Sequence, residues 1–171
     1  MKKIVMIYDQ IQAGVGTKDD GDLGLGIIKE AVGPAIMMEN HLKEIDAKVI
    51  ACLYAGSDYF INNQEEVIDK MDKMVQKINP DMVICGPCFN FEKYANMAAY
   101  ICAQISKKYP CVMACSKENE EIIKEFKDKI TIIKTPKKGE SGLNDSLHMI
   151  CQVINEKYNN DDLEKYSEYI Y

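Results

Sequence analysis

Apolar runs of strand length alternate along the chain with segments in which apolar residues recur every three or four positions. That is the pattern of β-α units building a parallel sheet covered on both faces. Five runs, at residues 3–8, 48–54, 81–85, 111–115 and 130–134, are continuously apolar rather than alternating, as strands buried on both faces require. Helical spacing predicts helices over 35–45, 65–78, 93–107, 119–127 and 144–158. The second of these aligns Val67, Ile68, Met71, Met74, Val75 and Ile78 on one stripe, with Asn63 and Glu66 placed for a capping box. The expected fold is an α/β three-layer sandwich around a five-stranded parallel sheet, flavodoxin-like or Rossmann-like. Residues 1–158 form one domain, and 159–171 an acidic, Tyr-rich tail that is loose or awaits a partner.

Such sheets bind ligands at the carboxyl edge of their strands, and the unusual residues of this chain fall there. Gln10, Gly14 and Gly16 follow the first strand, and Gly33-Pro34 opens the first helix. Asp58 and Tyr59 follow the second strand, Cys85-Gly86-Pro87-Cys88-Phe89-Asn90 ends the third, Glu118-Asn119 follows the fourth, and Ser141 follows the fifth.

Charge limits what those loops can hold. The net charge of −6 argues against nucleic acid or an anionic membrane surface as a partner, since both call for clustered positive charge. All 21 basic residues are lysine, so no guanidinium fork is available for a carboxylate, and backbone N–H groups at helix starts become the leading anion sites. No run approaches the roughly 18 apolar residues of a membrane span. The short N-terminal apolar run, 4–8, ends at Asp9 and is not a signal peptide, which makes a cytoplasmic location the expectation.

Cys85 and Cys88 form a Cys-x-x-Cys at a strand-helix junction, where a helix N-terminus would favour a thiolate. They are redox candidates, with Cys85 as exposed nucleophile and Cys88 resolving. The competing reading makes them small buried residues. A four-thiolate metal site is not expected, because Cys111 and Cys115 at the two ends of one strand stand about 13 Å apart; only Cys115 is expected near the pair. His41 and His148 have no ligand-spaced partner in sequence and are expected at the surface or the core boundary. The first loop lacks the Ser/Thr-rich cradle of a flavin phosphate.

Several motifs, in their order, resemble the N-terminal domain of the selenoprotein B component of glycine, sarcosine and betaine reductases, with D-proline reductase subunits as more distant relatives. They are Gln10 with Ala13-Gly14-Val15-Gly16, Val32-Gly33-Pro34, Gly56-x-Asp58-Tyr59-Phe60, Gly86-Pro87-x-Phe89-Asn90 with Tyr94, Glu118-Asn119 and Ser141-Gly142. The resemblance spans about residues 1–155. It implies binding of a small amino acid or methylated amine for reductive cleavage with a dithiol/disulfide couple, in an anaerobic amino-acid-fermenting system. Members of the family carry the redox selenocysteine in a later half; this sequence shows none, so the chain is expected to be a split subunit, a regulatory paralogue or a ligand-binding remnant, with no cofactor of its own. In that reading Gly14, Gly16, Gly33 and the Gly86–Asn90 turn offer N–H groups to the substrate carboxylate, Asp58 or Glu118 balances the amine, and Gln10, Tyr59, Asn119 and Ser141 complete the pocket. Another reductase subunit supplies the redox centre. A second copy of the chain is a further partner, docking on Tyr166, Tyr169 and Tyr171. The readings kept beside it are a stand-alone Cys-Gly-Pro-Cys oxidoreductase and a non-catalytic ligand-binding or partner-recruiting domain.

Overall fold

Strand β1 (Lys2–Tyr8) lies inside a six-stranded sheet in the computed structural model, which describes residues 1–160 and 162–171. The other strands are β2 (Gly26–Ile28), β3 (Ala47–Tyr54), β4 (Met82–Cys85), β5 (Cys111–Cys115) and β6 (Ile132–Lys134), in the spatial order β2-β3-β1-β4-β5-β6. Five run parallel, as the continuous apolar runs predict. The expectation of five strands is corrected by β2, a three-residue strand that pairs antiparallel with β3 and closes one edge. Gly-Ile-Ile inside a polar loop is too short to carry a periodicity, and only pairing with β3 makes it a strand.

Helices cover both faces. One side carries α1 (Pro34–Met37), α2 (Glu39–Glu44) and α7 (Leu143–Asn159); the other carries α3 (Ser57–Asn62), α4 (Gln64–Ile78), α5 (Glu92–Ile105) and α6 (Glu120–Phe126). The helix expected over 35–45 is broken at Met38 into α1 and α2. The segment after β3, expected to be a loop, winds into α3. The predicted capping box is absent: Asn63 caps nothing with its side chain and donates instead to the Tyr59 carbonyl, while Glu66 bonds Lys70 and the Tyr59 hydroxyl. Ile4 to Tyr8 and Met82 to Cys85 are fully buried between the two helical layers.

The C-terminal segment is docked rather than loose. Residues 164–169 form a 3-10 turn, Ile170 bridges Ile133 antiparallel, and the Tyr171 amide donates to the Ile132 carbonyl at 3.0 Å. The Tyr171 hydroxyl donates to the Cys115 carbonyl at 3.0 Å, and Lys134 sits 5.7 Å from the Tyr171 ring centre. Asp161, within the same tail, lies outside the described residues. Deleting Ile170 and Tyr171 is expected to cost about 2 kcal/mol, from two main-chain contacts, one hydroxyl bond and the buried ring face. A urea midpoint equal to that of the full chain would show that the segment does not dock in solution.

Candidate functional site

The five parallel strands, counted in chain order, lie as 2-1-3-4-5, so the direction of chain progression reverses between β1 and β4. At such a switch point the loops above the two strands part and leave a crevice. A cleft of about 380 Å³ occurs there, lined by Asp9, Gln10, Lys18, Ser57 and Asp58 on one side and by Asn90, Phe91 and the first turn of α5 on the other.

The expected site residues are distributed over three hollows rather than one. Gln10, Asp58 and Asn90 line the cleft, whereas Phe89 lines a neighbouring hollow of about 310 Å³ with residues 136–140. Glu118 and Asn119 line a third hollow beside α6. Ser141 is exposed in the loop before α7, and Tyr59 is half-buried on α3 with its hydroxyl on Glu66.

Several expected ligand contacts are spent on holding the loops. Gln10 is buried, donating to the Thr17 carbonyl at 3.2 Å and accepting from the Ser57 amide at 3.1 Å, which latches the first loop to the start of α3. The Gly14 amide donates to the Ile11 carbonyl, the Gly16 amide to the Gln10 carbonyl and the Gly86 amide to the Ile7 carbonyl. Cys88 N–H is taken by the Ala114 carbonyl at 2.8 Å. Asn119, buried, donates to the Phe89 and Ser116 carbonyls, and Asn90 accepts from the Lys138 amide. Gly33, with φ of 57°, opens α1 where a side chain would strike the Gln12 carbonyl. Asp58 is paired with Lys93 at 2.7 Å, so its charge is already balanced. The glycine loops are scaffolding in this arrangement.

An anion in the cleft can be met by the first turn of α5. No side chain caps this 14-residue helix, and its first N–H groups, Glu92 to Tyr94, have no intrahelical acceptor. They border the cleft beside Lys93, with Lys18 across from them. Opposite stands a residue the sequence reading passed over, Asp9, at the end of β1. Its carboxylate is 2% exposed and accepts from the Gln12 amide at 2.8 Å, and burial pushes its pKa above the ordinary carboxylate value despite the hydrogen bonds that favour the charge. A buried carboxyl at the carboxyl end of the first strand, beside the switch point, is the signal that would have singled it out.

The thiols lie beneath this surface. Cys85 and Cys88 are both 0% exposed, and burial raises both pKa values. The exposed nucleophile expected at Cys85 is thus a strand-end side chain inside the core. Cys85 Sγ is 3.7 Å from Cys111 Sγ, which lies 3.4 Å from Cys102 Sγ on α5. Cys115, the thiol expected near the pair, neighbours Cys88, whereas Cys85 meets Cys111. Cys85 pairs with Met113, and Cys111 and Cys115 lie two positions to either side of it on the same face of β5. Native protein treated with a thiol alkylating reagent is expected to lose almost none of its seven free thiols, and all seven once denatured; rapid native labelling of Cys85 or Cys88 would contradict the burial.

The model of the glycine/sarcosine/betaine reductase selenoprotein B family matches residues 1–171. The chain belongs to that family. It is similar to the glycine reductase complex component B subunit gamma of Peptoclostridium acidaminophilum, 30% identical over 99 residues, which is 58% of this chain and 22% of that protein. The corresponding subunit of Carboxydothermus hydrogenoformans is 26% identical over 135 residues, 78% of this chain and 31% of the relative. The sarcosine reductase complex component B subunit beta of P. acidaminophilum is 25% identical over 161 residues, 92% and 36%. The chain therefore spans about a fifth to a third of the length of the curated relatives it matches. No solved structure matches it. Among the described residues, no helix is long and apolar enough to cross a membrane.

Proposed function

We propose that this chain is the ligand-binding part, or a paralogue, of a glycine/sarcosine/betaine reductase-like system, and that it holds a small amino acid or methylated amine in the cleft between β1 and β4. The observation that carries this reading is the family match over the whole chain. The cleft supports it chemically. A ligand carboxylate meets the uncapped N-terminus of α5 with Lys18 nearby, which answers the lack of arginine, and the cationic nitrogen faces Asp9. Phe91, half-buried at the rim, already has the Lys138 ammonium 5.7 Å from its ring centre, a cation contact that a methylated ammonium would replace.

In this reading a further reductase subunit brings the dithiol/disulfide or selenium centre, because the thiols of this chain are enclosed. The stand-alone Cys-Gly-Pro-Cys oxidoreductase is disfavoured on the same ground. Isothermal titration with glycine, sarcosine, betaine and proline tests the proposal. Saturable heat with one of the four supports it, and none with any of them removes it in favour of a partner-recruiting domain.

A further inference from the structure

The two histidines of this chain, His41 and His148, meet across the α2-α7 contact although nothing in their sequence spacing pairs them. Their rings stand edge to face at 5.1 Å between centres, and Glu44, one turn after His41 on α2, joins them. One donor atom from each of His41, Glu44 and His148 lies within 4.8 Å of the other two. His148 Nδ1 and the Glu44 carboxylate are already 3.4 Å apart, close to the roughly 3.3 Å between neighbouring donors on a tetrahedral zinc ion. At most about 1.5 Å of donor separation has to be closed by side-chain rotation.

A second observation points to a ligand. His41 Nε2 lies 3.0 Å from Asn144 Oδ1, an acceptor, so the proton sits on Nε2 and Nδ1 carries the lone pair. That Nδ1 is buried and has no hydrogen-bond partner. An orphaned imidazole lone pair beside a second imidazole and a carboxylate, with its other nitrogen fixed by an amide oxygen, is the arrangement of a metal-ligating histidine and its supporting bond. His148 is 35% and Glu44 54% exposed, so an ion reaches the site from solvent and a fourth position stays open to water or a small anion. The buried Cys85-Cys102-Cys111 cluster has no such access.

We propose that His41, Glu44 and His148 form a binding site for a divalent transition metal of the zinc class, which clasps α2 to α7. The ligand set of two imidazoles and one carboxylate suits Zn²⁺ and Co²⁺ and is poor for Mg²⁺ or Ca²⁺, which prefer oxygen donors. The proposal is independent of the amine cleft, and neither stands or falls with the other.

The test is titration of the full-length, metal-free chain with Zn²⁺ and, separately, Co²⁺, in a buffer without chelating amines. One ion per chain is expected, with visible Co²⁺ bands of tetrahedral nitrogen-oxygen ligation and no thiolate-to-metal charge-transfer band. Because the chain has only two histidines, both sets of imidazole proton resonances are expected to shift on adding Zn²⁺. His41→Ala and His148→Ala should each weaken binding at least about tenfold, and Glu44→Gln, at an exposed position, should weaken it without unfolding the chain. Imidazole resonances unmoved by one equivalent of Zn²⁺, affinity unchanged in Glu44→Gln and the histidine variants, or a thiolate charge-transfer band each overturns the assignment.

Discussion

Gly86→Ala is expected to lower the melting temperature by about 6–12 °C, the equivalent of about 3 kcal/mol in a chain of this size. Gly86 links β4 to the turn above it with φ at 127°, a conformation that side-chain-bearing residues rarely adopt, and a Cβ there would stand 2.8 Å from the Ala114 carbonyl oxygen and 3.1 Å from the Cys88 nitrogen. Both obstacles are main-chain atoms of fully buried residues, and neither can turn aside as a flexible side chain would. The same carbonyl accepts the Cys88 amide at 2.8 Å, so pushing it away also loosens the turn that leads into α5. Thermal unfolding followed by circular dichroism measures the effect; a shift within about 2 °C would mean that the turn has room the structure does not show.

Asp9→Asn is expected to separate stability from binding. Removing one charged hydrogen-bonding partner of an ammonium costs about 1.5–3 kcal/mol, so affinity for the ligand should fall roughly tenfold to a hundredfold in calorimetry. Folding should not suffer. The asparagine oxygen can still accept from the Gln12 amide, and the substitution removes a carboxylate whose ionisation burial opposes. The sign follows from proton uptake. Because the folded-state pKa of Asp9 is raised, the folded chain holds that proton at pH values where the unfolded chain has released it. Asp9 therefore makes the fold less stable as pH rises from the ordinary carboxylate value up to its raised value, and the loss persists above that window. Asp9→Asn should flatten this part of the pH-stability profile and melt at or above the parent temperature at neutral pH. Unchanged affinity would take the carboxylate out of the site, and a lower melting temperature would make Asp9 a structural residue.

The two predictions concern neighbouring strands, β1 and β4, and these were the most legible parts of the sequence. Four of the five parallel strands stand where continuous apolar runs place them, because strands buried on both faces need no alternation and four to eight apolar residues suffice to mark them. The fifth is shorter at its start than predicted, since Ile130 and Thr131 still belong to the approach from α6. Short elements were not legible. Antiparallel β2 and α3 depend on each other: the Gly56, Asp58 and Tyr59 amides donate to the carbonyls of Leu23 and Gly21 in the loop before β2, contacts that no local pattern encodes.

At the carboxyl edge of the sheet, the sequence showed which loops gather there but not the direction of their polar groups. Gly14, Gly16 and Gly86 were read as open amides, yet each donates to a carbonyl nearby, while the first amides of α5 have no intrahelical acceptor. Asp9 was read as the end of a strand. Its burial comes from β1 lying between β3 and β4, which is a property of strand order and not of the segment itself. His41 and His148 gave no sign of one another for the same reason, since α2, in the first crossover, and α7, after the last strand, meet only because both pack on the same face of the sheet.

Both margins of the sheet are occupied, one by three-residue β2 and the other by Ile170 and Tyr171 laid along β6. An incoming chain therefore finds no long row of vacant peptide groups with which to extend the sheet. Any companion subunit has to recognise side chains, and Ile36 and Met37 on α1 are exposed bulky apolar neighbours in sequence. Displacing Ile170 and Tyr171 from β6 would uncover the peptide groups of that margin.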